Sequence, residues 1–126
     1  MQVKQIKDPI YGYVAIPTTY FANIIDTNVF QRLRNIIQTS YSPLYPSAIH
    51  NRFIHSIGVF HLGEIASNTI LKNSLIERIF ENDEQAKKLM DIFKLACLLH
   101  DVGHAPFSHT GENYFLENNG EKNKRY

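Results

Sequence analysis

Two stretches of apolar residues at helical spacing, from about Ser47 to Leu71 and from Asn82 to about Val102, constrain this chain more than any other feature. In the first, Phe53, Ile57 and Phe60 follow one stripe, and Val59, Leu62 and Ala66 follow a neighbouring one. In the second, Leu89, Met90, Ile92, Phe93, Ala96 and Leu99 recur at the same period. Residues three and four apart share a helix face, so each stretch predicts an amphipathic helix, and such faces are buried by packing on one another. Asn82 or Asp83 is placed to cap the second helix, and Gly103 and Pro106 to end it. Gly58 and Gly63 lower helix propensity but permit close approach of a neighbouring helix.

The rest of the chain reads as short elements. Residues 8–17 predict an extended or hairpin segment, with Gly12 supplying a turn and Tyr13, Val14 and Ile16 suited to a strand. Thr18 or Thr19 is expected to cap a helix through Ile25; Asp26, Thr27 and Asn28 break it and cap the next. That next helix runs from Val29 to Gln38, with Val29, Leu33 and Ile36/Ile37 on one face and Arg32 and Arg34 on other sides. Tyr41 to Pro46 is a loop, Ser74 to Phe80 a short helix, Ser108 to Asn118 a last one, and 121–126 a polar tail. The expected fold is mainly α, with a small N-terminal β element.

Bulk properties exclude several classes. At 126 residues the chain suits one domain, and 44% hydrophobic residues suffice for a core. A net charge of +1 gives no indication of a nucleic-acid partner. The single cysteine, Cys97, has no internal disulfide partner, which fits a reducing compartment. No apolar run is long enough to span a bilayer, and residues 1–8 lack the apolar core of a signal peptide. No membrane association and a cytoplasmic location are therefore expected.

The chemistry concentrates at Leu98-Leu99-His100-Asp101-Val102-Gly103-His104. A histidine and an aspartate end a strongly apolar helix, where ionisable groups are unfavourable unless paired or ligated. Imidazole and carboxylate together suit a divalent cation. A third ligand has to come from a packed neighbouring helix, and His55 is the best placed. An isolated histidine on an apolar helix is usually a satisfied core residue; the adjacent aspartate, with Gly103, His104, Pro106 and His109 close by, brings a metal or phosphate site level with that reading. Arg52 lies three residues before His55, on nearly the same face. Beside a metal site its guanidinium suits a phosphate; the bland alternative is a surface arginine paired with Glu64 or another acid. Asp26, Gln31 and Arg34 suit either a polar pocket or a cap and a solvated helix face, and spacing favours the latter.

The segment His50-Asn51-Arg52-Phe53-Ile54-His55-Ser56-Ile57-Gly58-Val59, followed about 45 residues later by His100-Asp101-Val102-Gly103-His104-Ala105-Pro106-Phe107-Ser108-His109, resembles the HD-domain phosphohydrolases of the deoxynucleoside-triphosphate triphosphohydrolase (dGTPase-like) kind. Lys7 to Gly12 and Ile25 to Arg34 are also similar to that branch. The resemblance implies a helical HD fold, and His55, His100 and Asp101 as ligands of a divalent ion (Mg, Mn, Fe, Ni or Zn). It further implies His104 and His109 as catalytic histidines, one of them a candidate general acid, and Arg52 and Gln38 as substrate-binding residues. By the same resemblance Lys4, Asp26, Gln31 and Arg34 bind a regulatory nucleotide. The implied reaction cleaves a dNTP to deoxynucleoside and triphosphate, in a homo-oligomer.

The chain departs from the family pattern in two places. The family's fourth metal ligand is an aspartate on a later helix, whereas only Glu112, Glu117 and Glu121 follow Asp101 as acids. Gln38-Thr39-Ser40 also stands where the family often has Gln-Leu-Gly. We therefore expect residues 1–126 to be the N-terminal portion of one truncated HD domain, with an incomplete ligand set, weak metal binding and a tendency to self-associate. Two other readings compete. One is a different HD phosphohydrolase, acting on cyclic dinucleotides, alarmones or nucleoside monophosphates. The other is a nucleotide-binding remnant without turnover.

Overall fold

The computed structural model describes residues 2–39, 44–73, 80 and 82–104. Strands β1 (Val3–Asp8) and β2 (Gly12–Pro17) form an antiparallel hairpin, with Val3 opposite Pro17 and Asp8 opposite Gly12. The turn is set by local chemistry. Asp8 Oδ1 accepts from the Ile10 and Tyr11 amides at 2.8 and 2.9 Å, and Gly12 takes a φ of 77°, which a side chain would disfavour. Alternation along β2 buries Val14 and Ile16 and leaves Tyr13 exposed.

A short helix, α1 (Thr18–Tyr20), continues as a π turn over Phe21–Ile25. No side chain caps it, contrary to expectation; Thr18 is its first residue and its hydroxyl donates to the Gln2 carbonyl instead. Helix α2 (Asn28–Gln31) is capped by Thr27 and tightens into a 3-10 turn over Arg32–Asn35. The helix expected to reach Gln38 thus stops three residues early. Ile36 is extended, and Ile37 makes a bridge to Asn51. The buried anchor of this segment is Phe30, with Leu33 and Ile36; Val29 and Ile37 are exposed.

Helix α3 (Arg52–Leu71) begins five residues later than its periodicity predicts, because Asn51 caps it through Ile54 N–H and the preceding residues are engaged elsewhere. Gln38 N–H donates to the His50 carbonyl and Arg52 N–H to the Ile36 carbonyl. Helix α4 (Asp83–Leu99) is capped by Asn82, as expected, but ends at Leu99, with residues 101–103 in a turn. The start of α3 meets the end of α4, and Gly63 packs on Cys97, so the two helices run antiparallel.

The core joins Val14 and Ile16 of β2, Ile25, Phe30, Leu33, Ile36, Phe53, Ile57, Phe60 and Leu98. The stripe Phe53, Ile57, Phe60 is therefore core. The second stripe is not, since Leu62 is exposed, and neither is the face of Leu89, Ile92, Phe93 and Ala96 on α4. Ala86 and Leu98 are the buried residues of that helix. Burial needs an opposing surface, and among the described residues the Leu89–Phe93 face is only partly covered, Phe93 reaching Gly63 of α3. No helix among them is long and apolar enough to cross a membrane. The short helices expected at Ser74–Phe80 and Ser108–Asn118 lie outside the described residues, Phe80 excepted.

Candidate metal centre

The site forms where the first turn of α3 meets the turn after α4. Arg52 and His55 stand one turn apart on α3, and the pairing of 36–38 with 50–52 fixes where that helix starts. On the other side, Val102 N–H donates to the Leu99 carbonyl and His104 N–H to the Asp101 carbonyl, both at 3.0 Å. That turn aims His100, Asp101 and His104 toward α3.

His100 Nε2 lies 3.2 Å from His55 Nε2. Asp101 Oδ2 lies 3.4 Å from the first and 3.6 Å from the second. These residues form a group able to hold a metal ion. A triangle with those edges has its centre about 2 Å from each corner, and metal–imidazole and metal–carboxylate bonds are about 2.0–2.2 Å long. The donor set therefore fits a divalent ion.

Surrounding bonds orient the donors. His100 Nδ1 is 2.8 Å from the Cys97 carbonyl, which only accepts, so that nitrogen carries the hydrogen and Nε2 turns its lone pair to the site. Burial holds the His55 imidazole below its ordinary 6.5; Asp101 opposes this, while His100, Arg52 and His50 add to it. The ring is thus neutral, the form that ligates, at neutral pH.

Arg52 is no surface residue. It is 3% exposed, and its Nη1 donates to Asp101 Oδ2 at 2.6 Å, so the Glu64 alternative falls away. His104 joins the cluster, with Nε2 3.5 Å from Asp101 Oδ1. His109 lies outside the described residues. Gln38 is half-buried, and its Oε1 has no hydrogen-bond partner among the described residues.

The residues of the expected regulatory site are only partly brought together. Arg34 Nε donates to Gln31 Oε1 at 2.7 Å, and its guanidinium lies 3.6 Å above the Phe53 ring. Gln31 Nε2 donates to the Ile25 carbonyl, beside the exposed Asp26. Lys4 sits instead over Phe21, its Nζ 4.8 Å from the ring centre. Nothing in residue spacing marked Arg32, which donates to the carbonyls of Val102 and His104, 70 and 72 residues further along the chain.

A model of the HD domain family matches residues 52–125. This chain belongs to the HD domain family. Its relatives include a deoxynucleoside triphosphate triphosphohydrolase SAMHD1 homolog of Dictyostelium discoideum, 39% identical over 94% of this HD chain and 22% of that protein. The SAMHD1 triphosphohydrolase of Homo sapiens is 36% identical over 90% of the chain and 17% of its own length. A crystal structure of a hypothetical protein from Aquifex aeolicus superposes with a TM-score of 0.70 at 37% identity, covering 88% of this HD chain and 26% of that one. The chain thus spans about a quarter or less of the length of these relatives.

Proposed function

We propose that this HD domain contributes to a metal-dependent phosphohydrolase that cleaves a dNTP to deoxynucleoside and triphosphate. The convergence of His55, His100 and Asp101 beside a buried Arg52 carries this reading. The dNTP triphosphohydrolases among its relatives support the substrate class.

In this reading His55 and His100 bind the ion through Nε2 and Asp101 through a carboxylate oxygen. The bound ion supplies Lewis-acid polarisation of a phosphate oxygen and lowers the pKa of water. Arg52, whose Nη1 holds Asp101, is assigned to the phosphate oxygens by resemblance and keeps its charge at any working pH. His104 holds a proton at Nε2 for the departing 5′-oxygen, which needs a general acid; His109 is assigned to the same group by resemblance alone. Gln38, whose buried Oε1 lacks a hydrogen-bond partner among the described residues, is assigned to the sugar by resemblance. Gln31 and Arg34, with Asp26 nearby and Lys4 on the adjoining strand, are assigned to a regulatory nucleotide, and the Gln31–Arg34 pair supports part of that assignment.

Two measurements test the proposal. Calorimetric titration with Mn²⁺ is expected to give about one ion per chain, lost in His55→Ala. Phosphorus NMR of dGTP incubated with protein and Mn²⁺ is expected to show inorganic triphosphate. Pyrophosphate or orthophosphate as first product points instead to another HD phosphohydrolase, and metal or nucleotide binding without turnover to a binding module.

A further inference from the structure

The turn that carries Asp101 and His104 makes two short-range bonds of its own, Val102 N–H to Leu99 O and His104 N–H to Asp101 O. Two of its carbonyls are gripped by one distant side chain. Arg32 Nη2 donates to the Val102 carbonyl at 2.5 Å, and Nη1 to the His104 carbonyl at 2.8 Å. These partners lie 70 and 72 residues apart in sequence. Arg32 opens the 3-10 turn, whose backbone is pinned in the core by the fully buried Phe30 and Leu33 on either side. A guanidinium is flat and rigid, so two carbonyls bonded to its two Nη groups are held at a set spacing. A lysine ammonium is a point donor on a flexible stem and does not impose that spacing.

We propose that Arg32 is a positioning residue, a clamp that fixes the 101–104 turn so that Asp101 and His104 face His55 and His100. That these side chains serve metal and substrate rests on the function proposed above; the clamp itself rests only on the two carbonyl bonds. Without Arg32 the turn keeps its local bonds, the packing of Val102 on the core and the Arg52–Asp101 pair, but loses the grip that sets the spacing of its two carbonyls. Its amides then open without the helices opening, and Asp101 is left held by Arg52 alone, without a fixed backbone behind it.

The test uses the full chain with Arg32→Lys and Arg32→Met, read by native-state hydrogen exchange and by Mn²⁺ titration. The Val102 and His104 amides are expected to exchange about 10-fold faster in Arg32→Met, with Arg32→Lys intermediate, while Ile57 and Phe60 of α3 keep wild-type rates. Mn²⁺ affinity is expected to fall by about 10-fold, as for other groups that orient metal ligands. Wild-type exchange at Val102 and His104 overturns the clamp. Equal acceleration at Ile57 and Phe60 overturns it as well, because Arg32 then contributes only to global stability. If wild-type protein takes up no Mn²⁺, the proposed function fails, and exchange at the two turn amides still decides the clamp.

Discussion

Arg52 and Asp101 are both nearly inaccessible, at 3% and 5% exposure, and each is the other's opposite charge. Removing one partner of such a pair leaves an uncompensated charge in the interior, at a cost of about 3–5 kcal/mol. Arg52→Met is therefore expected to lower the melting temperature of metal-free protein sharply. Added Mn²⁺ should restore part of the loss, because a bound cation neutralises the same carboxylate; equal melting with and without Mn²⁺ would separate Asp101 from the metal. His55 sets a pH dependence. Its folded pKa lies below 6.5, so below that pH the unfolded chain takes up the proton more readily than the native one. The stability linked to this ring is complete above 6.5 and is lost as pH falls through the depressed value. Melting temperatures measured from pH 7.5 downward should therefore drop more steeply for wild type than for His55→Gln, and parallel curves would refute this.

Helices α3 and α4 approach closely because Gly63 has no side chain. A Cβ there would lie 2.8 Å from Cys97 Sγ and 3.1 Å from Cys97 Cβ, and both belong to the packed face of α4. Overpacking of this kind costs about 1–3 kcal/mol, more than the roughly 1 kcal/mol of helix propensity that alanine adds. Gly63→Ala is thus expected to destabilise in urea denaturation. Gly58 offers the contrast. Its added Cβ meets one edge of the Tyr11 ring at 3.1 Å, a longer approach than the one at Gly63. Gly58→Ala should be neutral or stabilising by up to about 1 kcal/mol. If both variants lose stability alike, close helix approach is not specific to Gly63. The capping of α4 and α2 was legible from residue types: Asn82 and Thr27 accept the amides three residues on. The late start of α3 was not, because it depends on a bridge between Ile37 and Asn51, and apolar periodicity does not report strand pairing.

Among the described residues, both long helices carry exposed apolar side chains. Leu62, Ile65 and Ile70 of α3 and Leu89, Ile92 and Phe93 of α4 are each at least 40% exposed. Large apolar surfaces of this kind mark interaction sites or association. The isolated 126-residue chain is expected to self-associate at micromolar concentration, with Ile92→Lys shifting it toward monomer in sedimentation velocity. Sedimentation as a monomer by the wild-type chain would refute the expectation.

Helical character, the hairpin turn, the caps at Asn82 and Thr27 and the chemical identity of the metal-site residues are all consequences of local order along the chain. They follow from the 3.6-residue period, from φ preferences and from the ligand chemistry of imidazole and carboxylate. Which apolar face became core, the 3.2 Å approach of His55 to His100, the burial of Arg52 against Asp101 and the grip of Arg32 on two carbonyls were decided by packing. Each of these joins residues 45 to 72 positions apart. Spacing along a chain specifies directions within one element, but the meeting of two elements depends on how their surfaces exclude water together.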